Sequence, residues 1–207
     1  MKKVYNYWMP DSDNHFERLI TKRINNGGPP EYQDDVRDAA YEHVTDFDLA
    51  IDVGANVGLW ALPLSKKFKN VIAFEPVNQV FECLEKNTKD LNIELRNYAL
   101  GNATSTLDII YNEENTGSSF VDKNSLGTGS IQVNRLDNLQ LPKFGLIKLD
   151  CEGYEYEILL GGIYTILKYK PILIIEQHAK NKKAGQFLEA KGAKLISNVR
   201  KDYIYGW

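Results

Sequence analysis

The chain has 207 residues, of which 43% are hydrophobic and 26% are charged, and its formal net charge at neutral pH is −3. This length suits one domain with a buried core, residues 1–207, and the composition is that of an ordinary globular protein. The negative charge argues against a nucleic-acid partner, because binding to phosphates normally needs a basic surface. No apolar run reaches the ~20 residues that span a bilayer, and the first residues lack a secretory pattern. We therefore expect a cytoplasmic protein without membrane contact, and no feature indicates its oligomeric state.

Residues 1–46 are predicted to form a polar helical extension. A first helix is expected to end near Ile24, before the Asn-Asn-Gly-Gly-Pro-Pro stretch at 25–30. A second is expected over 31–44, where apolar side chains recur at helical spacing. Aromatic side chains of this extension are candidate contacts for a substrate, namely Trp8, Tyr32 and Tyr41.

The rest of the chain, residues 47–207, alternates short apolar runs with helical stretches. The apolar runs are 49–53, 71–74, 93–100, 145–149 and 171–175. The helical stretches are 59–68, 78–91, 154–168 and 181–191. This alternation predicts a parallel sheet with helices on both faces.

Two further pairs of short strands are predicted. Segments 107–111 and 130–133 are expected to form an inserted hairpin, with a Gly- and Ser-rich mobile loop at 112–130 near the cleft. Segments 194–199 and 203–205 are joined by only three residues, so they must pair antiparallel. A mostly parallel seven-stranded sheet with an antiparallel C-terminal hairpin is typical of the methyltransferase version of the doubly wound, Rossmann-like α/β fold.

A glycine turn follows the first apolar run, in the sequence Asp52-Val53-Gly54-Ala55-Asn56-Val57-Gly58. Gly54 and Gly58 allow a tight strand-to-helix turn on which a ligand can lie. Glu75 stands 21 residues beyond Gly54, at the end of the second run, where an acid accepts hydrogen bonds from a ribose. The combination predicts a nucleoside-containing cofactor.

The residue at the second glycine position of a dinucleotide-binding turn is Asn56, which would crowd a pyrophosphate. S-adenosylmethionine has a ribose and an amino-acid head group but no phosphate, so it is the predicted cofactor. Asp52 suits its ammonium group, and the segment from Asn97 through Ala99 to Leu100 is expected to cover the adenine. A nicotinamide-dependent oxidoreductase and a non-catalytic cofactor-binding subunit are the alternatives.

Several motifs together resemble the FkbM-type methyltransferase family. They are 52–58, Ala73-Phe74-Glu75-Pro76, Asn97-Tyr98-Ala99-Leu100-Gly101-Asn102, Gly117-Ser118-Ser119, Ile147-Lys148-Leu149-Asp150-Cys151-Glu152-Gly153-Tyr154-Glu155 and Ile174-Ile175-Glu176. The resemblance implies S-adenosylmethionine as cofactor, bound by the turn residues (Ala55 included), Glu75, Pro76 and Asp150, and O-methylation of a sugar or natural-product hydroxyl. Residues 1–45 and the tail after about Lys180 carry little of the resemblance, so the acceptor is expected only to be a small molecule or glycan.

Four ionisable residues follow the fourth and fifth apolar runs, where the site of an open parallel sheet lies. If Asp150 and Glu152, and likewise Glu176 and His178, continue in extended conformation, alternate side chains point the same way and converge. Crowding raises the pKa of one group, which suits a base near neutral pH. We expect Asp150 nearest the methyl group, Glu152 or His178 as the base, and Glu176 as the residue that orients His178 or the acceptor hydroxyl.

Other roles for these acids remain open. Glu152 is equally suited to pair with Lys148 or to cap the helix that follows Gly153. The three carboxylates also offer oxygen ligands for a divalent cation. However, the adjacent Asp-Asp or Asp-Asn pair of metal-dependent O-methyltransferases is missing from 176–178, so no required metal is expected.

Overall fold

The computed structural model describes residues 1–121, 131–177 and 182–207. Its helices are α1 (His15–Asn25), α2 (Asp34–Tyr41), α3 (Ala61–Lys67), α4 (Asn78–Thr88), α5 (Glu155–Tyr169) and α6 (Lys183–Ala190). Its strands are β1 (Lys2–Val4), β2 (Tyr7–Met9), β3 (Leu49–Val53), β4 (Asn70–Phe74), β5 (Ile93–Arg96), β6 (Ala99–Leu100), β7 (Ser105–Leu107), β8 (Ile109–Ile110), β9 (Phe120–Val121), β10 (Ile131–Asn134), β11 (Leu146–Leu149), β12 (Ile172–Glu176), β13 (Lys194–Val199) and β14 (Asp202–Gly206).

The main sheet has seven strands in the order β13-β14-β12-β11-β3-β4-β5. Strands β3, β4, β5, β11 and β12 are parallel, whereas β14 pairs antiparallel with both β12 and β13. The predicted parallel sheet and its antiparallel C-terminal hairpin are thus present. The chain turns in opposite directions from β3 and β11, so the crevice of the switch point lies beyond their carboxyl ends.

Both faces of the central strands β3, β4, β11 and β12 are buried, because these strands are mostly apolar. One face packs against α5 and α6 through side chains such as Ile147, Leu173 and Ile158. The other packs against α2 and α3, with Trp60 and Leu64 over the small residues of β3 and β4. Among the described residues, none of the helices is both long and apolar enough to cross a bilayer.

The predicted single strand over 93–100 is two strands in different sheets. Strand β5 closes the edge of the main sheet, while β6 pairs in parallel with β10 in a small three-stranded sheet. The predicted hairpin of 107–111 with 130–133 also differs in the structure. Strand β10 pairs with β7, and β8 forms a separate pair with β9. Of the predicted mobile loop, residues 122–130 lie outside the described residues.

The extension begins with a hairpin of β1 and β2 that was not predicted, followed by the two expected helices. Asn87 of α4 acts as a partner for the hairpin edge: its side chain accepts a hydrogen bond from Trp8 N at 2.6 Å and donates to Trp8 O at 2.8 Å. Each strand is only three residues long, and the backbone N and O of Trp8 find their hydrogen-bond partner in a side chain that is distant in the sequence. The local sequence pattern therefore does not reveal them.

Candidate active site

The glycine turn lies directly against the end of β11. A Cβ on Gly54 would lie 2.0 Å from the carbonyl oxygen of Asp150, and the backbone there has φ +78°. Only glycine allows this approach without displacing the backbone of β11. The turn therefore brings the end of β3 and the first acid of the predicted site into contact, at the mouth of a cavity of about 370 Å³.

Glu75 lies at the end of β4 with its carboxylate beside the turn. Its Oε2 accepts a hydrogen bond from Asn56 N at 3.0 Å and its Oε1 accepts one from Val77 N at 2.9 Å. Burial raises the pKa of Glu75 to about 7, although these two N–H groups lower it. The carboxylate is held by these two hydrogen bonds, and Glu75 lines the cavity.

A buried lysine in the cavity lining holds two acids together. Lys148 Nζ lies 3.1 Å from Asp150 Oδ2 and 3.8 Å from Asp52 Oδ1, and its side chain is 3% exposed. Burial opposes charge on all three groups. The pKa of Asp52 rises to about 6, whereas the charge of Lys148 holds the pKa of Asp150 below its usual value. Asp150 is therefore ionised at neutral pH, and Lys148 balances its charge.

Glu176 and Glu152 lie beside Asp150. The carboxylate oxygens of the three residues are within 4.8 Å of one another, close enough to hold a divalent cation. Burial and the charge of Asp150 raise the pKa of Glu176, which shares a hydrogen bond with Asp150. Burial and Asp150 also raise the pKa of Glu152, to about 7. The cluster thus combines one ionised acid, one that retains its proton and one that titrates near neutrality.

Glu152 reaches the cavity by a route that the sequence did not predict. Strand β11 ends at Leu149, and Glu152 adopts a left-handed backbone with φ 50° rather than continuing the strand. Such a conformation is costly for a residue other than glycine and is often found at functional sites. The helix that follows is capped by Glu155, whose Oε1 accepts hydrogen bonds from Cys151 N and Gly153 N, so Glu152 does not serve as that cap.

The other predicted residues divide into two groups. Ala55, Asn56, Pro76, Ala99 and Leu100 line the cavity together with Gly54, Glu75 and the three acids. Asp52, Gly58 and Asn97 are not part of its lining. Asp52 is fully buried beside Lys148, and the side chain of Asn97 donates to Glu75 O at 3.0 Å. His178 lies outside the described residues.

Several lining residues were not singled out from the sequence. Thr116 donates to Asp13 Oδ2 at 2.6 Å and accepts from Asn56 Nδ2 at 3.1 Å, so it ties the loop to the glycine turn. Lys201 lines the cavity because β14 begins at the carboxyl end of β12. The short connection before β14 was a usable signal for Lys201. Thr116 carried no comparable signal, since its partners are distant in the chain.

Residues 52–201 match the model of the methyltransferase FkbM domain. The chain belongs to the FkbM methyltransferase family. A hexuronic acid methyltransferase, AglP of Haloferax volcanii, is 30% identical over 178 residues, covering 82% of this chain and 74% of that protein.

A solved structure shares the fold of this chain. A putative methyltransferase from Streptococcus mutans in complex with SAH matches with a TM-score of 0.51 at 14% identity, covering 85% of this chain and 97% of that one. Methyltransferase FkbM from Methylobacillus flagellatus matches with a TM-score of 0.49 at 18% identity; the match covers 77% of this chain and 43% of that one. This chain thus spans less than half of that FkbM protein.

Family membership identifies the protein as an S-adenosylmethionine-dependent methyltransferase, so the nicotinamide-dependent alternative does not apply. The residues present fit this cofactor. Glu75 offers a rigid carboxylate to a ribose, and the cavity beside it is lined by the apolar Ala99 and Leu100, as an adenine requires. Gly54, whose backbone has φ +78°, also lines the cavity, where the main chain of the turn would contact the amino-acid head group.

Proposed function

We propose that this FkbM methyltransferase methylates a hydroxyl oxygen of a sugar, glycan or small metabolite. The observation that carries the proposal is the convergence of Asp150, Glu152 and Glu176 on the cavity beside the glycine turn. Methylation of an alcohol requires removal of its proton, and a positioned carboxylate can perform this step. The relative named as a hexuronic acid methyltransferase supports a sugar as acceptor.

Bound S-adenosylmethionine supplies an electrophilic methyl group on a sulfonium. Its ribose would be held by Glu75 and its amino-acid portion by the turn that contains Gly54 and Asn56. The chain's own task is to place an acceptor hydroxyl against that methyl group and to take up its proton. Positioning of the two reactants contributes much of the rate in such transfers.

Glu152 is the base in this proposal. Its pKa of about 7 allows it to accept a proton at neutral pH and to release the proton afterwards. Asp150 forms an ion pair with Lys148. Glu176 retains its proton and therefore acts as a hydrogen-bond donor. The positive charge of Lys148 keeps the cluster near neutrality, and for this reason we propose that no metal is required.

An acceptor screen tests the proposal. The protein is incubated with S-adenosylmethionine labelled in the methyl group and with hexuronic acids, neutral hexoses, amino sugars and non-sugar alcohols. Label is expected in an ether linkage on a sugar, which mass spectrometry after hydrolysis identifies. Binding of S-adenosylhomocysteine without turnover on any acceptor would instead favour a non-catalytic cofactor-binding subunit, and label on nitrogen or carbon would contradict O-methylation.

A further inference from the structure

The extension before the family-matched region contributes aromatic side chains to the cavity. Of the three aromatic residues considered from sequence, Tyr32 lines it. Trp8 instead contacts α4, with Lys86 Nζ 4.0 Å from its ring centre, and Tyr41 packs against Phe47 and Phe68. The structure thus selects Tyr32 from the three candidates.

The ring of Tyr32 is held from two sides. It packs against the buried cluster of the extension, where its ring meets Phe16 edge to face with centres 5.6 Å apart, and also against the cluster around Trp60. Its backbone oxygen accepts a hydrogen bond from Arg37, a buried side chain that is also paired with Glu31 at 2.7 Å. Tyr32 therefore presents a rigid surface to the cavity.

The next residue fixes this surface relative to the acids. Gln33 has a left-handed backbone with φ 51°, and its side chain forms hydrogen bonds with residues of two other parts of the fold. Gln33 Oε1 accepts from Trp60 Nε1 at 2.6 Å, and Gln33 Nε2 donates to Asp202 Oδ2 at 3.1 Å. Asp202 pairs with Glu176 across the sheet, so the Tyr32–Gln33 segment is anchored to the strand that carries one of the three acids.

The phenol of Tyr32 lies within the electrostatic influence of the carboxylate cluster. Burial and the charge of Asp150 raise its pKa well above the usual range, although Lys148 opposes them. The phenol therefore stays protonated at neutral pH and acts as a hydrogen-bond donor. An aromatic face next to a fixed donor suits a ring-shaped molecule that carries hydroxyl groups.

We propose that Tyr32 is an acceptor-binding residue that determines specificity: its ring forms one wall of the acceptor subsite, and its hydroxyl donates a hydrogen bond to an acceptor oxygen. The inference rests on the proposed function and names the acceptor as a hydroxylated ring, such as a pyranose sugar. It also assigns to the extension, which the family model does not cover, a part in substrate choice.

Steady-state kinetics of Tyr32→Phe and Tyr32→Leu test the inference, with the sugar that the wild-type protein methylates best in the acceptor screen. Tyr32→Phe is expected to raise the acceptor KM about 2- to 10-fold, the value of one hydrogen bond. Tyr32→Leu, which also removes the aromatic face, is expected to raise it further. In both variants the Kd of S-adenosylhomocysteine should stay within about 2-fold. Tyr41→Phe, at the C-terminal end of α2 and outside the cavity lining, is the matched control and should leave KM unchanged.

The outcomes separate the two proposals. An unchanged acceptor KM in both Tyr32 variants overturns the inference and leaves the proposed function standing. A rise in KM accompanied by an equal weakening of S-adenosylhomocysteine binding also overturns it, because Tyr32 would then shape the whole cavity. If Tyr32→Leu does not fold, as a melting curve would show, Tyr32→Phe decides alone. A wild-type protein that methylates none of the acceptors overturns both.

Discussion

Asp13 and Thr116 are joined by two hydrogen bonds across 103 residues of chain: Asp13 Oδ2 accepts from Thr116 N at 3.1 Å and from Thr116 Oγ1 at 2.6 Å. The other oxygen of Asp13 accepts from the backbone N of His15 and of Phe16, at the start of α1. One fully buried carboxylate thus links the extension to the loop that lines the cavity.

Asp13→Asn is expected to lower the free energy of unfolding by about 2–4 kcal/mol, because an amide nitrogen cannot accept two of these four buried hydrogen bonds. Urea denaturation measures the change. The control is Asp11→Asn, whose side chain is 76% exposed and pairs with the N-terminus, and which should cost little. Equal stability of the two variants would show that the link between α1 and Thr116 does not stabilise the fold.

Glu75→Gln is expected to weaken binding of S-adenosylhomocysteine by about 1–3 kcal/mol, since it removes charge-assisted hydrogen bonds to the ribose. Calorimetry measures the affinity, and Glu82→Gln, an exposed change on α4, is the matched control. Unchanged affinity in Glu75→Gln would remove the ribose assignment.

Cofactor binding is expected to depend on pH through Glu75. Because its pKa is raised to about 7, the folded protein holds this proton below pH 7, and the group becomes a full acceptor only above it. Affinity for S-adenosylhomocysteine should therefore increase between pH 6 and pH 8. In Glu75→Gln the same titration should be flatter, and an equally steep curve in the variant would assign the dependence to another group.

Glu152→Gln is expected to lower kcat by about 10²–10⁴-fold, the usual contribution of a general base. The amide keeps the size of the side chain but cannot take a proton, so the Kd of S-adenosylhomocysteine should change little. Glu189→Gln on the exposed side of α6 serves as the control. A kcat within about 3-fold of wild type would contradict the assignment, since general-base catalysis is worth far more than that.

Chelation is expected to leave methyl transfer intact. The three carboxylates are close enough to hold a cation, but Lys148 and the proton retained by Glu176 already offset their charge. Activity is compared before and after dialysis against EDTA, and again after Mg²⁺ or Mn²⁺ is added back. Loss of activity that a divalent cation restores would show that the cluster is a metal site.

The sequence alone predicted those parts of the fold that rest on local patterns. Apolar runs of four or five residues between helices indicated the central strands, since such runs must be buried on both faces. The short connection before β14 required an antiparallel pair. The glycine turn and Glu75 were also recognisable from local sequence. A tight turn restricts the residues that can adopt its backbone conformation, and Glu75 stands directly after an apolar run.

The tertiary structure decided everything that depends on contacts between distant residues. The side chain of Asn87 hydrogen-bonds Trp8 in the hairpin of β1 and β2, and β6 pairs with β10 in a small separate sheet. The residues next to these strands in the sequence do not indicate either contact. Asp52 is buried beside Lys148, and a left-handed turn, rather than strand alternation, brings Glu152 to the cavity. Local sequence determines the backbone preference of a short segment, whereas burial, charge pairing and pKa depend on which segments the folded chain packs together.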